Sequence, residues 1–124
     1  MSSDDEEEAQ AKQLSHLVEL AIRYFKKEGY KVEQEVTTLE GFGGISRKFD
    51  LLVQKGRVVQ GVWIRSWNRT IGINVIINLD KFSENVGLSN PILIGEKFSD
   101  HAKLYAYRRK VTLLTKQQMM RSLR

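Results

Sequence analysis

The sequence of 124 residues contains no cysteine, which excludes disulfides, thiolate-bound zinc and cysteine nucleophiles. It also lacks any apolar run of the roughly 18 residues a membrane helix needs. No basic then apolar leader opens it: the first charged residues are Asp4, Asp5, Glu6, Glu7 and Glu8. From these absences we expect a cytoplasmic chain with no membrane partner. Histidine is scarce as well, and His16 and His101 are too far apart in sequence to suggest a metal pair, so each is expected to be a surface or capping residue. What is present, 41% apolar and 28% charged residues, fits one domain with a modest core and leaves no room for a second.

Charge is distributed unevenly. The formal net charge is +5, yet five of the fifteen acids lie in residues 4–8, so twenty bases face ten acids in the remainder. A body that basic concentrates polyanions at its surface and binds phosphates by counterion release, which makes nucleic acid the first partner to consider. The alternative is a basic surface that keeps the chain soluble or meets an acidic protein. Residues 1–9 read as a disordered acidic tail, a solubilising segment or a competitor for the basic face, ahead of a single domain over residues 10–124.

From Gln10 to Glu28 the apolar residues Leu14, Leu17, Val18, Ala21, Ile22 and Phe25 trace one stripe of an amphipathic helix. Gly29 follows Lys26 and Lys27, a suitable helix end. Alternation predicts a strand over Tyr30 to Thr38, and apolar runs predict two more over Lys48 to Gln54 and Val58 to Trp67. Glycines at 41, 43 and 44 mark a turn or loop, and the lysine and Ser/Thr of a phosphate-binding P-loop are not at the required spacing there. A helix is expected from Ile73 to Asn85, a break at Asn90-Pro91, and a short buried strand at Ile92-Leu93-Ile94. Ser99 is a candidate N-cap for the next helix, a strand follows at Val111 to Leu114, and Thr115-Lys116-Gln117-Gln118 has a capping-box pattern that opens a last one. The fold class is therefore α/β, in the order α-β-β-β-α-β-α-β-α.

That order, with Asp50 in the second strand and Trp63-Ile64-Arg65 in the third, resembles the PD-(D/E)XK, or restriction-endonuclease-like, nucleases, and within them the Mrr-type restriction endonuclease domain. The family's third-strand pattern of an acid or amide, any residue, lysine, any residue, tryptophan lies over Trp63 to Trp67, and its closing tryptophan matches. Its later apolar strand, Phe-Ser and alanine helix lie over Pro91 to Gly95, Phe98-Ser99 and Ala102 to Ala106, so the resemblance covers roughly residues 13–120. It implies a mixed central sheet flanked by helices, a homodimer, and DNA as partner, with RNA left open. By position, Asp50 matches the metal-binding aspartate, Trp63 stands in the place of the second acid and Arg65 in the place of the lysine. Glu19 matches a helical glutamate that reaches the metal through water.

Chemistry limits this carry-over. Magnesium needs carboxylate and phosphate oxygens, and one of its waters is the nucleophile. Trp63 offers an N–H donor and no acceptor, so it is no ligand. Arg65 keeps its charge and cannot relay a proton, but its planar fork can hold a phosphate bidentately. The reading is a nuclease frame that binds DNA with a degenerate site. Its first alternative is an active Mg-dependent endonuclease using Asp50 with a migrated acid, such as Glu19, Asp80 or Glu40. The second is a protein-interaction module anchored by Trp63 and Trp67. Gln60 faces away from Trp63 and Arg65 at strand period and is no candidate. Expected nucleic-acid contacts are Arg47, Lys48 and Arg65, then Trp67, Asn68 and Arg69, and Lys103, with Trp63 and Trp67 able to stack on bases. Lys103, Arg108, Arg109 and Lys110 form a second basic cluster, part solvated face and part phosphate contact.

Overall fold

The computed structural model describes residues 3–34, 39–40 and 46–124, with side chains described over residues 5–34 and 48–124. In chain order the elements are α1 (Ser3–Lys27), β1 (Lys31–Gln34), β2 (Leu39–Glu40), β3 (Ser46–Arg47), β4 (Leu51–Lys55) and β5 (Val58–Ile64). They continue with α2 (Ile73–Asn85), β6 (Ile92–Gly95), α3 (Asp100–Arg109), β7 (Thr112–Thr115) and α4 (Lys116–Ser122). This is the expected α/β order with a two-stranded hairpin, β2–β3, added between the first and second strands of the sheet. The glycine loop and residues 35–38 of the expected first strand lie outside the described residues.

The sheet runs β1-β4-β5-β6-β7. Its first three strands form an antiparallel meander, because the Gly56 turn at φ 61° returns the chain at once. Strands β5, β6 and β7 are parallel, and each parallel step needs a crossover, which α2 and α3 supply. Alternation along β5 sends Val62 and Ile64 to one face and Trp63 to the other. On the first face α1 buries Leu17, Ala21 and Phe25 against Leu51, Val53 and Val62, with Met119 of α4 beside them. On the second, α2 and α3 bury Ile76, Leu79, Phe82 and Ala102 against Phe49, Trp63 and Leu93. The Lys27 ammonium donates to the Ser122 carbonyl, and Ser122 Oγ donates to Glu28 Oε1 at 2.8 Å, tying α4 to the end of α1.

The acidic segment departs from expectation: it is helical from Ser3, not a disordered tail. Its acids lie at the positive end of the helix dipole, Glu8 stands one turn before Lys12, and Glu, Gln and Ala favour helix. Residues 5–16 are all exposed, so this half of α1 joins no core. Two strands are also shorter than expected. The chain bends at Asp50, so β4 starts at Leu51, and β5 ends at Ile64, before Trp67.

Both predicted helix caps are present. Thr115 and Gln118 form a reciprocal capping box on α4, and Ser99 Oγ accepts from Ala102 N at 3.1 Å. Replacing Ser99 with alanine orphans that N–H and should cost about 1 kcal/mol, a fall in Tm of roughly 3–6 °C at this chain length. A thermal melt followed by circular dichroism measures it.

Candidate functional site

Asp50 and Arg65 meet where β4 begins and β5 ends. The Asp50 N–H donates to the Val62 carbonyl at 2.9 Å, and its Oδ2 accepts from Ile64 N at 2.7 Å. The carboxylate thus extends the β4–β5 ladder past the bend. Arg65 Nη1 donates to the same Oδ2 at 3.4 Å and to the Ile64 carbonyl at 3.0 Å, while the guanidinium carbon lies 4.8 Å from the Trp63 ring centroid. The expected trio therefore does converge, although the three sit 13 to 15 positions apart for the Asp50 pairs, because adjacent antiparallel strands bring them into register.

The trio's roles differ from expectation in one respect. Trp63 is 8% exposed, its ring stacks on Phe82 at 6.0 Å, and its Nε1–H donates to the Lys48 carbonyl at 3.2 Å. It is a core residue with its polar handle satisfied, so it neither stacks on bases nor anchors a partner. Arg65 and Asp50 remain accessible, with side chains 28% and 41% exposed. An ion pair that open is worth about 0–1 kcal/mol, so a phosphate can compete for the guanidinium. The remaining guanidinium nitrogens of Arg65 make no hydrogen bond to a described residue and are free to form a fork.

This donor set does not fit magnesium. One Asp50 oxygen already accepts two hydrogen bonds, a fixed cation lies beside it, and the indole supplies no oxygen. Glu19 is exposed on α1 and lies two positions from both Leu17 and Ala21, hence on the side away from the sheet that carries Asp50. Asp80 is held by Tyr105 Oη at 3.0 Å and Arg109 Nε at 2.9 Å. Arg109 is in the last turn of α3, at the start of β7, so this network lies at the edge opposite Asp50. Among the described residues, no three His, Asp or Glu side chains gather as metal ligands. The side chain of Glu40 lies outside the described residues.

The other expected contacts are dispersed. Lys48 precedes the Asp50 bend and Lys103 lies on α3, both exposed, while the side chain of Arg47 on β3 lies outside the described residues. Trp67 is half-buried beside the second core, with the Arg69 guanidinium 4.4 Å from its ring centroid, and Asn68 is exposed between them. The second basic cluster is split. Arg109 serves Asp80, which raises its pKa through the hydrogen bond between them, and Lys110 is the left-handed cap of α3 at φ 59°. Burial, then the bond to Asp80, likewise raises the Tyr105 hydroxyl. Sequence reasoning did not single out Lys116, Arg121 or Arg124, which line clefts beside this site. Their positive charge was visible, but nothing in their spacing connects them with Arg69.

No family model matches this sequence, and no curated protein does. The fold is similar to the crystal structure of AF1548, a protein of unknown function, with a TM-score of 0.75 at 14% identity. The match covers 86% of this chain and 66% of that one, so this chain spans slightly under two thirds of its length. At that identity the likeness concerns the fold alone. Among the described residues no helix is long and apolar enough to cross a membrane.

Proposed function

We propose that the protein binds nucleic acid, DNA foremost, on a restriction-endonuclease-like frame whose cleavage site has become a phosphate-binding site. The observation that carries this is the Arg65 guanidinium, seated on Trp63 and paired weakly with Asp50 at an exposed sheet edge. The antiparallel meander continued by parallel crossover strands supports the kinship, and the basic body supports a polyanionic partner. Asp50 orients the fork and keeps it partly neutralised until a phosphate displaces it.

Plasmid nicking with Mg or Mn, alongside DNA affinity, tests this on the native chain, Asp50→Ala and Arg65→Ala. No chain should nick. Arg65→Ala should weaken DNA binding about tenfold, the loss of one charge-assisted bond, and Asp50→Ala should tighten it by freeing the guanidinium. Nicking by the native chain that disappears in Asp50→Ala would establish the Mg-dependent endonuclease instead.

A further inference from the structure

Three clefts join end to end along the carboxyl edge of the parallel strands. The first, about 650 Å³, lies between α1 and the turn after β5, where Trp67 and Arg69 face Gln10. It shares Gln13, Ser66 and Asn68 with a neck of about 110 Å³. The neck in turn shares Glu96 and Lys116 with a third cleft of about 650 Å³ against α4, lined by Arg121 and Arg124. Ser66 follows β5, Glu96 follows β6 and Lys116 follows β7, so one groove crosses three strand ends. In open α/β sheets, the crevice beyond the carboxyl ends of the strands is where ligands bind.

The groove's lining favours a polyanion. Arg69, Lys116, Arg121 and Arg124 are exposed along its length, and none forms an ion pair with a described carboxylate. Two acids, Glu7 and Glu96, also line it and do not balance them. At one end the half-buried Trp67 ring carries the Arg69 guanidinium 4.4 Å from its centroid, and Arg69 uncovers the ring when it turns to a phosphate; in the neck Gln13, Asn68 and Ser66 offer amide and hydroxyl groups. An aromatic platform at one end of a basic track is how single strands are held without regard to sequence. Stacking on such a ring needs an unpaired base, which a single strand offers and a double helix does not.

We infer that this groove binds a single strand of nucleic acid, with a base on Trp67 and phosphates along Arg69, Lys116, Arg121 and Arg124. The inference rests on the nucleic-acid reading above and adds to it the strandedness and the path. The track starts immediately after Arg65, so a strand leaving the groove reaches the Asp50–Arg65 pair.

Fluorescence anisotropy with a labelled oligothymidine of about 16 nucleotides, and with the same length of duplex, tests it on the native protein, Trp67→Ala, Lys116→Glu/Arg121→Glu and, at the opposite edge, Lys31→Glu/Arg57→Glu. The single strand should bind more tightly than the duplex. The groove pair should lose about tenfold or more on the single strand, and Trp67→Ala about tenfold. The opposite-edge pair, with the same change in net charge, should lose at most about threefold. Unchanged thermal melts exclude a folding defect, and Trp67→Ala stands as an independent arm should the charge pair melt early. Equal losses from the two charge pairs, or a duplex bound as tightly as the single strand, overturn the groove while leaving DNA binding intact. Absence of binding to either probe overturns both readings.

Discussion

Gly61→Val should lower the melting temperature by on the order of 10–30 °C, although it adds only three carbons to a strand that favours valine by propensity. A Cβ at Gly61 would lie 2.2 Å from Phe49 Cε1 and 2.4 Å from Phe49 Cζ, far inside contact distance. The Phe49 ring cannot swing aside: it is 1% exposed and lies 4.6 Å from the Phe82 ring. Overpacking of this kind costs about 1–3 kcal/mol for small additions, and expelling the phenylalanine forfeits about 1.5–3 kcal/mol more. Against a total stability of roughly 5–15 kcal/mol, Gly61→Ala should melt below the native chain and Gly61→Val lower still, by on the order of 10–30 °C. Gly72→Asn is the control. It has open space and an ordinary φ of −87° at the N-cap of α2, and should change stability by a few tenths of a kcal/mol. Circular dichroism melts of the native chain and the three variants decide it, and a Gly61→Val protein that melts like the native one would show that Phe49 does not lie over Gly61.

Binding of a single strand should fall on the order of 50-fold between 50 and 200 mM salt, if the four groove cations each neutralise one phosphate at the slope of about 0.7 per contact for single strands. Lys116→Glu/Arg121→Glu should flatten that slope by about 1.4 in log–log units, because two contacts are gone, whereas Lys31→Glu/Arg57→Glu should leave it unchanged. The slope separates contact from long-range attraction, since only released counterions contribute to it. An anisotropy series over this salt range supplies the measurement. A flat response in the native chain would favour a protein-interaction module, with the half-buried Trp67 and the exposed Arg69 as its anchors.

Several features of the site were legible in the residues themselves. The period of 2 along β5 predicts that Trp63 and Arg65 share a face, and they do. The apolar stripe through Leu17, Ala21 and Phe25 predicts α1, and the Ser99 and Thr115 patterns place the starts of α3 and α4. The meeting of Asp50 with Arg65 was legible only through a family resemblance, because nothing local says that a bend at Asp50 will lie beside the end of β5. Trp63 shows the limit of residue type: an indole beside a guanidinium suits base stacking and core packing equally, and Phe82, nineteen positions on, decided for the core. The acidic segment shows another limit, since composition pointed to disorder while dipole and i,i+4 spacing favoured helix.

By itself the sequence determined what depends on neighbours within a turn or a strand: element periodicity, caps, breaks and the surplus of positive charge outside residues 4–8. Only the tertiary structure decided which distant segments share an edge. Parallel pairing of β5, β6 and β7 aligns their carboxyl ends and so sets Arg69, Lys116 and Arg121 along one groove, while the antiparallel pairing of β4 with β5 lays Phe49 over Gly61. The reason is physical: local propensities act over a few residues, whereas crossover connections and side-chain packing set distances between residues that no sequence spacing relates.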